Sequence, residues 1–221
     1  MRRTWSACLF TAVLATGHGL CACETALVLA IDVSGSIDSG EYLLQTEGLA
    51  DALGDPAVAD ALVVGQVALA VVQWSGAGQQ ALALPWQRML SHAAVARFAA
   101  TARGLDRIFY GSDTAVGDAI GFAVDQFTGV PDCGRRVIDI SGDGPVNAGG
   151  PVATERARAL GVRVEINAIA IEDAGRSISI TEFYRRHVIT PKGFVLTARG
   201  LADYPRAIRD KLLRETAKPL G

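Results

Sequence analysis

Five oxygen-bearing side chains in this sequence have the types and spacing to hold a small, hard cation. Asp32, Ser34 and Ser36 follow one another as D-x-S-x-S, Thr114 stands just ahead of Gly117-Asp-Ala-Ile120, and Asp143 lies inside Ser141-Gly-Asp-Gly144. A cation such as Mg²⁺ takes oxygen ligands in a near-octahedral array and tends to keep several waters. Serine and threonine hydroxyls are short and neutral, so they position such an ion without cancelling its charge. Asp32 and Asp143 would balance that charge, directly or through water. Alternation out of an extended strand end brings Asp32, Ser34 and Ser36 to one face of a turn, and Gly35 permits the bend. Taken alone, D-x-S-x-S is also an ordinary Ser- and Gly-rich turn with capping serines. Its meaning depends on what brings Thr114 and Asp143 to it.

The elements that must do so are legible as buried strands alternating with amphipathic helices. Residues 26–31 form a continuous apolar run, as in a central strand covered on both faces, and it ends in Asp32. Asp38-Ser-Gly-Glu41 has the form of a capping box opening a helix to about Leu53, and Gly54-Asp-Pro56 punctuates it. A β-branched stretch, 63–74, predicts a second strand; Gly76-Ala-Gly78 turns the chain, and 80–86 returns as an antiparallel edge strand. Helices are expected at 89–103, 115–127, 152–160 and 181–187, and strands at 136–141, 163–171 and 193–196. Leu201, Tyr204, Ile208 and Leu212 make a buried stripe on a last helix. Gly161 and Gly200 read as helix stops. The pattern predicts a doubly wound, Rossmann-like α/β domain. Its sheet has six strands, mostly parallel with one antiparallel edge strand, and helices cover both faces. Ligands of such sheets bind beyond the carboxyl ends of strands where the strand order reverses. The loops after Ile31 and Ile140 are therefore the place to look.

Composition narrows the function classes. Half of the 221 residues are hydrophobic, enough for one sizeable core, and the net charge is −2 with Lys and Arg scattered. No basic footprint of a nucleic-acid binder is present. The amino terminus reads differently. Arg2 and Arg3 precede a short apolar stretch, 7–15, and then small residues, which is the form of a signal peptide over residues 1–23 cleaved near Cys23–Glu24. The domain is then 24–221, exported, and periplasmic or secreted. Its charge is two units more negative than the whole chain's −2. Leu20-Cys-Ala-Cys23 loosely resembles a lipobox, so a lipid anchor on Cys23 is the alternative. No later run is long enough to span a bilayer. With Cys8 in the leader, no disulfide framework or zinc-ligand spacing is evident, and Cys133 reads as a small, partly buried side chain.

Taken together, the three loops resemble the von Willebrand factor A (VWA) domain and its metal-ion-dependent adhesion site. Asp32-Val-Ser-Gly-Ser36 is similar to that family's D-x-S-x-S. Gly111-Ser-Asp-Thr-Ala-Val-Gly-Asp-Ala-Ile120 is similar to its threonine loop, and Val137-Ile-Asp-Ile-Ser-Gly-Asp-Gly144 to its strand ending in T-D-G. The resemblance runs from about Thr25 to Glu215. One departure is Ser141-Gly142, where many members carry an apolar-Thr pair before the aspartate. The resemblance implies a metal site made of Asp32, Ser34, Ser36, Thr114 and Asp143, holding Mg²⁺, or else Mn²⁺ or Ca²⁺. It also implies a non-enzymatic role, in which the cation bridges to an Asp or Glu carboxylate of a protein partner. Ser-Gly-Asp-Gly-Pro resembles an uncharacterised bacterial exported branch of the family.

Two other readings stay open. Gly142-Asp-Gly-Pro-Val-Asn147 resembles the Mg²⁺-holding motif of haloacid-dehalogenase-type phosphatases. Those enzymes need an acid two residues after the first aspartate to protonate the leaving group, and Ser34 stands there. The second alternative is a structural VWA module whose site stays empty in its working state. Other polar residues read more simply: Asp139 as a structural hydrogen bonder, Asp113 as a solvated loop acid, Asn147 as either a support for the Asp143 loop or a turn residue. Trp74 and Trp86 read as packing at the hairpin. His92 and His187 stand alone, so no hydrolytic triad is readable.

Overall fold

The computed structural model describes residues 23–111, 113–130, 132–172 and 179–217. Apart from Cys23, the expected leader lies outside the described residues. Six strands, β1 (Cys23–Asp32), β2 (Ala68–Trp74), β3 (Gln80–Arg88), β4 (Cys133–Gly142), β5 (Val164–Glu172) and β6 (Val195–Arg199), make one sheet in the order β3-β2-β1-β4-β5-β6. All neighbours pair parallel except β2 with β3. From β1 the chain builds outward through β2 and β3, then restarts on the other flank with β4. The order therefore reverses between β1 and β4.

The pleat of β1 divides the core. Leu27, Leu29 and Ile31 face the layer formed by α1 (Ser39–Gly54), α2 (Pro56–Val64), α3 (His92–Arg103) and α7 (Tyr204–Thr216). Ala26, Val28 and Ala30 face α4 (Val116–Gln126), α5 (Val152–Gly161), α6 (Ile180–Phe183) and the π-helical turn Tyr184–Val188. Because β1 is covered on both sides, no polar alternation shows in it. Edge strand β3 keeps Pro85 and a register shift opposite Leu69–Val72, both tolerable where one side has no neighbour.

Local chemistry starts the helices where expected. Asp38 and Glu41 form the reciprocal capping box of α1, with Glu41 N donating to Asp38 Oδ1 at 2.8 Å and Asp38 N to Glu41 Oε2 at 2.8 Å. The reading of 63–74 as one strand is corrected. Asp55 caps a separate helix, accepting from Ala57 N at 2.9 Å with Pro56 at its first turn, so Asp-Pro both ends α1 and begins α2. Val63 and Val64 close that helix, and β2 starts only at Ala68. The expected helix at 181–187 is a single α turn continued as a π turn, and β6 starts two residues later than anticipated. Gly200 is not a helix stop. It leaves β6 with φ 75 and donates its N–H to Glu172 O at 2.8 Å.

The cysteine reading is also corrected. Cys23 and Cys133 form a disulfide, joining the first residues of β1 and β4 across a register pair. Cys133 is therefore no isolated thiol. The Cys23 sulfur is committed to the bridge.

Candidate metal centre

The site lies at the carboxyl ends of β1 and β4, where the strand order reverses. Asp32 closes β1 and is wholly buried. Its Oδ1 accepts from Ser34 N at 2.8 Å, which folds the chain back over the strand end. Ser34 Oγ and Ser36 Oγ are 3.2 Å apart, and Ser36 Oγ donates to Asp143 Oδ1 at 2.7 Å. Asp32, Ser34, Ser36 and Asp143 are thus joined in one hydrogen-bonded chain across the two loops.

Thr114 comes from the third loop. Its N–H donates to Asn147 Oδ1 at 2.7 Å, and Asn147 N returns a bond to Thr114 O at 3.1 Å. This reciprocal pair pins the threonine loop to the Asp143 loop, so Asn147 is the support that the sequence left undecided. Thr114 Oγ1 lies 3.6 Å from where a Cβ on Gly144 would sit, next to Asp143. Asp118, inside the Gly117-Asp-Ala-Ile120 segment, accepts from Gly150 N at 2.7 Å and fixes the far end of the same loop. The structure therefore brings all five candidate residues to one strand end.

Two residues here escaped the sequence reading. Arg107 spans the first loop, its Nη2 donating to Val33 O and Ser34 O at 2.8 Å each, while its guanidinium lies 5.2 Å from the exposed Tyr110 ring. Tyr184, from the π turn, is fully buried, as is Trp74, whose expected place was the hairpin edge. A Cβ on Gly142 would lie 2.4 Å from Tyr184 Oη, 3.0 Å from Asp32 Oδ2 and 3.4 Å from Trp74 Cη2, so only glycine fits there. Nothing in the spacing around Arg107 marks it, and Tyr184 reads simply as an apolar helix residue. Asp139 proves to be part of a buried ion cluster under α7, and Asp113 is an exposed loop acid.

Burial is the dominant influence on Asp32. It lifts the carboxyl to about 7, and the Asp143 charge adds to the rise. The Ser34 N–H, with smaller help from the Ser34 hydroxyl and the Asp143 main chain, opposes it. Asp32 Oδ2 is buried with no hydrogen bond of normal geometry. An unpaired buried carboxylate oxygen is costly unless a proton or a cation meets it. The donor set suits a hard cation: hydroxyls from Ser34, Ser36 and Thr114, and carboxylates from Asp32 and Asp143. Among the described residues there is no group of three or more His, Cys, Asp or Glu side chains that could hold a metal ion.

A pH prediction follows from the sign of that shift. A carboxyl with a folded value above its unfolded one binds more protons when folded, so its contribution is fully present below about pH 4 and fades as pH rises through about 7. In chelator-treated buffer, urea unfolding is expected to show falling stability between those limits. Asp32→Asn should flatten that slope, and an equal slope in both proteins would contradict the assignment.

Known structures share this architecture. Proximal thread matrix protein 1 (PTMP1) from the mussel byssus aligns with TM-score 0.67 and 20% identity over 88% of this chain and 48% of its own. A form of that protein with a zinc-occupied metal-ion-dependent adhesion site aligns with TM-score 0.63 and 18% identity, over 89% of this chain and 46% of the other. A von Willebrand factor type A structure from Catenulispora acidiphila gives 0.60 and 20%, covering 88% and 43%. The chain thus spans about half the length of these structures, and at such identities the likeness establishes the fold. No curated protein matches by sequence. No described helix is long and apolar enough to cross a membrane. The fold is of the VWA type, and the match of residues 22–220 to a family model places the chain in the family described as "Protein of unknown function (DUF1194)".

Proposed function

We propose that this is an exported, divalent-cation-dependent protein-binding domain. Ser34, Ser36 and Thr114 would hold the ion by their hydroxyls, with Asp32 and Asp143 balancing its charge. The bound ion would act as a Lewis acid of largely undiminished charge toward a carboxylate of a partner protein. This chain's own contribution is positional: Arg107 fixes the two carbonyls of the first loop, Asn147 ties the second loop to the third, and Gly142 keeps the strand end open.

The observation that carries this reading is the buried Asp32 Oδ2, which lacks a partner on a carboxylate that opens the chain of oxygen groups Asp32, Ser34, Ser36 and Asp143. The zinc-occupied site of the mussel protein supports a cation in a fold of this kind. The Cys23–Cys133 disulfide supports export, because such bonds persist in oxidising compartments. We place the leader boundary ahead of Cys23, so that both halves of the bridge stay in the exported protein. Mg²⁺ is the favoured ion, with Mn²⁺ or Ca²⁺ as substitutes.

Calorimetric titration with Mg²⁺ and Mn²⁺ tests the site. The parent should bind both, and Asp32→Ala should lose at least tenfold in affinity. Equal binding by parent and variant, or no heat from the parent, would sink the reading.

A further inference from the structure

Tyr184 reaches the site from an element that contributes none of the five candidate ligands. It opens the π turn after α6, where Ile189 N donates to Tyr184 O at 3.1 Å, a wider loop than an α turn makes. Single π turns inside helices are frequent at functional positions. Its ring is fully buried within the core on the α4 face of the sheet, in an element packed against α5 and β5, and it meets Phe183 edge-on at 5.6 Å. Packing alone would be satisfied by phenylalanine.

The hydroxyl is what needs an explanation. Tyr184 Oη is buried and has no hydrogen-bond partner, and the same is true of Asp32 Oδ2. Both oxygens lie within 3.0 Å of one point, the empty Cβ position of Gly142. A phenol offers a donor, and the carboxylate oxygen lacks one. Leaving a buried hydroxyl unsatisfied is costly, so its presence here calls for a compensating role. Asp32 Oδ1 accepts from Ser34 N, whereas Oδ2 has no partner.

We propose that Tyr184 is a positioning residue of the metal centre, its unpartnered O–H available across Gly142 to donate to Asp32 Oδ2 and hold that carboxylate for the cation. Groups of this kind, hydrogen-bonded to a ligand without touching the metal, commonly change affinity by about 10–100-fold. The inference rests on the proposed cation site.

The test uses the full disulfide-bonded chain and Tyr184→Phe, which removes one oxygen and keeps the ring. Two quantities are measured: Mn²⁺ affinity by calorimetry, and the thermal midpoint in chelator. Tyr184→Phe is expected to bind Mn²⁺ at least tenfold more weakly, with a metal-free midpoint equal to or above the parent's. Affinity within twofold of a parent that binds Mn²⁺ would overturn this proposal and leave the cation site standing. A lower midpoint with unchanged affinity would assign the hydroxyl to folding and overturn it equally. A parent that binds no Mn²⁺ overturns both. Gly142→Ala gives an independent arm, because its Cβ would displace the hydroxyl. Its affinity loss should not add to that of Tyr184→Phe in the double variant, and full additivity would count against the shared contact.

Discussion

Cys133→Ser is expected to lower the unfolding free energy by about 4 kcal/mol, one of the two largest effects anticipated for any single change in this chain. The bridge closes a loop with a sequence separation of 110, so its loss frees a large part of the unfolded ensemble. The folded state offers no compensation, since Cys23 and Cys133 are buried neighbours on adjacent parallel strands. Urea unfolding of the oxidised parent beside Cys133→Ser measures the difference. A loss below about 1 kcal/mol would mean that the ends of β1 and β4 are held together without the bond.

The second large effect concerns Lys211, a fully buried cation under α7. Its Nζ lies 2.7 Å from Asp139 Oδ1 and 2.9 Å from Glu215 Oε1, and 4.8 Å from the centre of the Phe194 ring. Arg135 reaches Glu215 Oε2 at 3.2 Å and Glu165 Oε1 at 2.7 Å, and Asn167 Nδ2 donates to Glu215 Oε1 at 2.7 Å. Burial raises the Asp139 carboxyl to about 6 even with Lys211 pulling it down. Lys211→Met keeps the length of the side chain but leaves Asp139 and Glu215 short of one cation. Breaking such a pair from one side typically costs about 3–5 kcal/mol. The deficit should be smaller at pH 5 than at pH 8, because protonating Asp139 removes the stranded charge. The double variant Lys211→Met with Asp139→Leu should recover most of the loss. Persistence of the full deficit in that protein would show that the lysine acts through packing instead.

How much of this was readable from the sequence depends on the range of the interaction. The apolar run of β1, the Asp38–Glu41 box and the Leu201–Leu212 stripe are local patterns, and each marks its element closely. The Asp55-Pro56 pair misled because one signal serves two helices, and the valines that follow favour strand only in isolation. The five candidate residues could be nominated because each lies at a strand end or in a short loop with its own spacing. Their supports could not. Arg107 acts from 74 residues away on Val33, and Tyr184 acts through a glycine that merely looks like turn chemistry. The disulfide was hidden for another reason: Cys23 stands at the edge of what reads as a leader, so its partner looked unpaired.

The positions of the bridge and the site at opposite ends of β1 and β4 have a mechanical consequence. Tension between the start of β1 and a partner gripping the Asp143 loop would run along the strand axes, not across them. Such a load shears the β1–β4 ladder, so its hydrogen bonds share it and none is peeled first. The Cys23–Cys133 bond passes part of the pull straight into β4, so the two strands carry it as a single doubled cable.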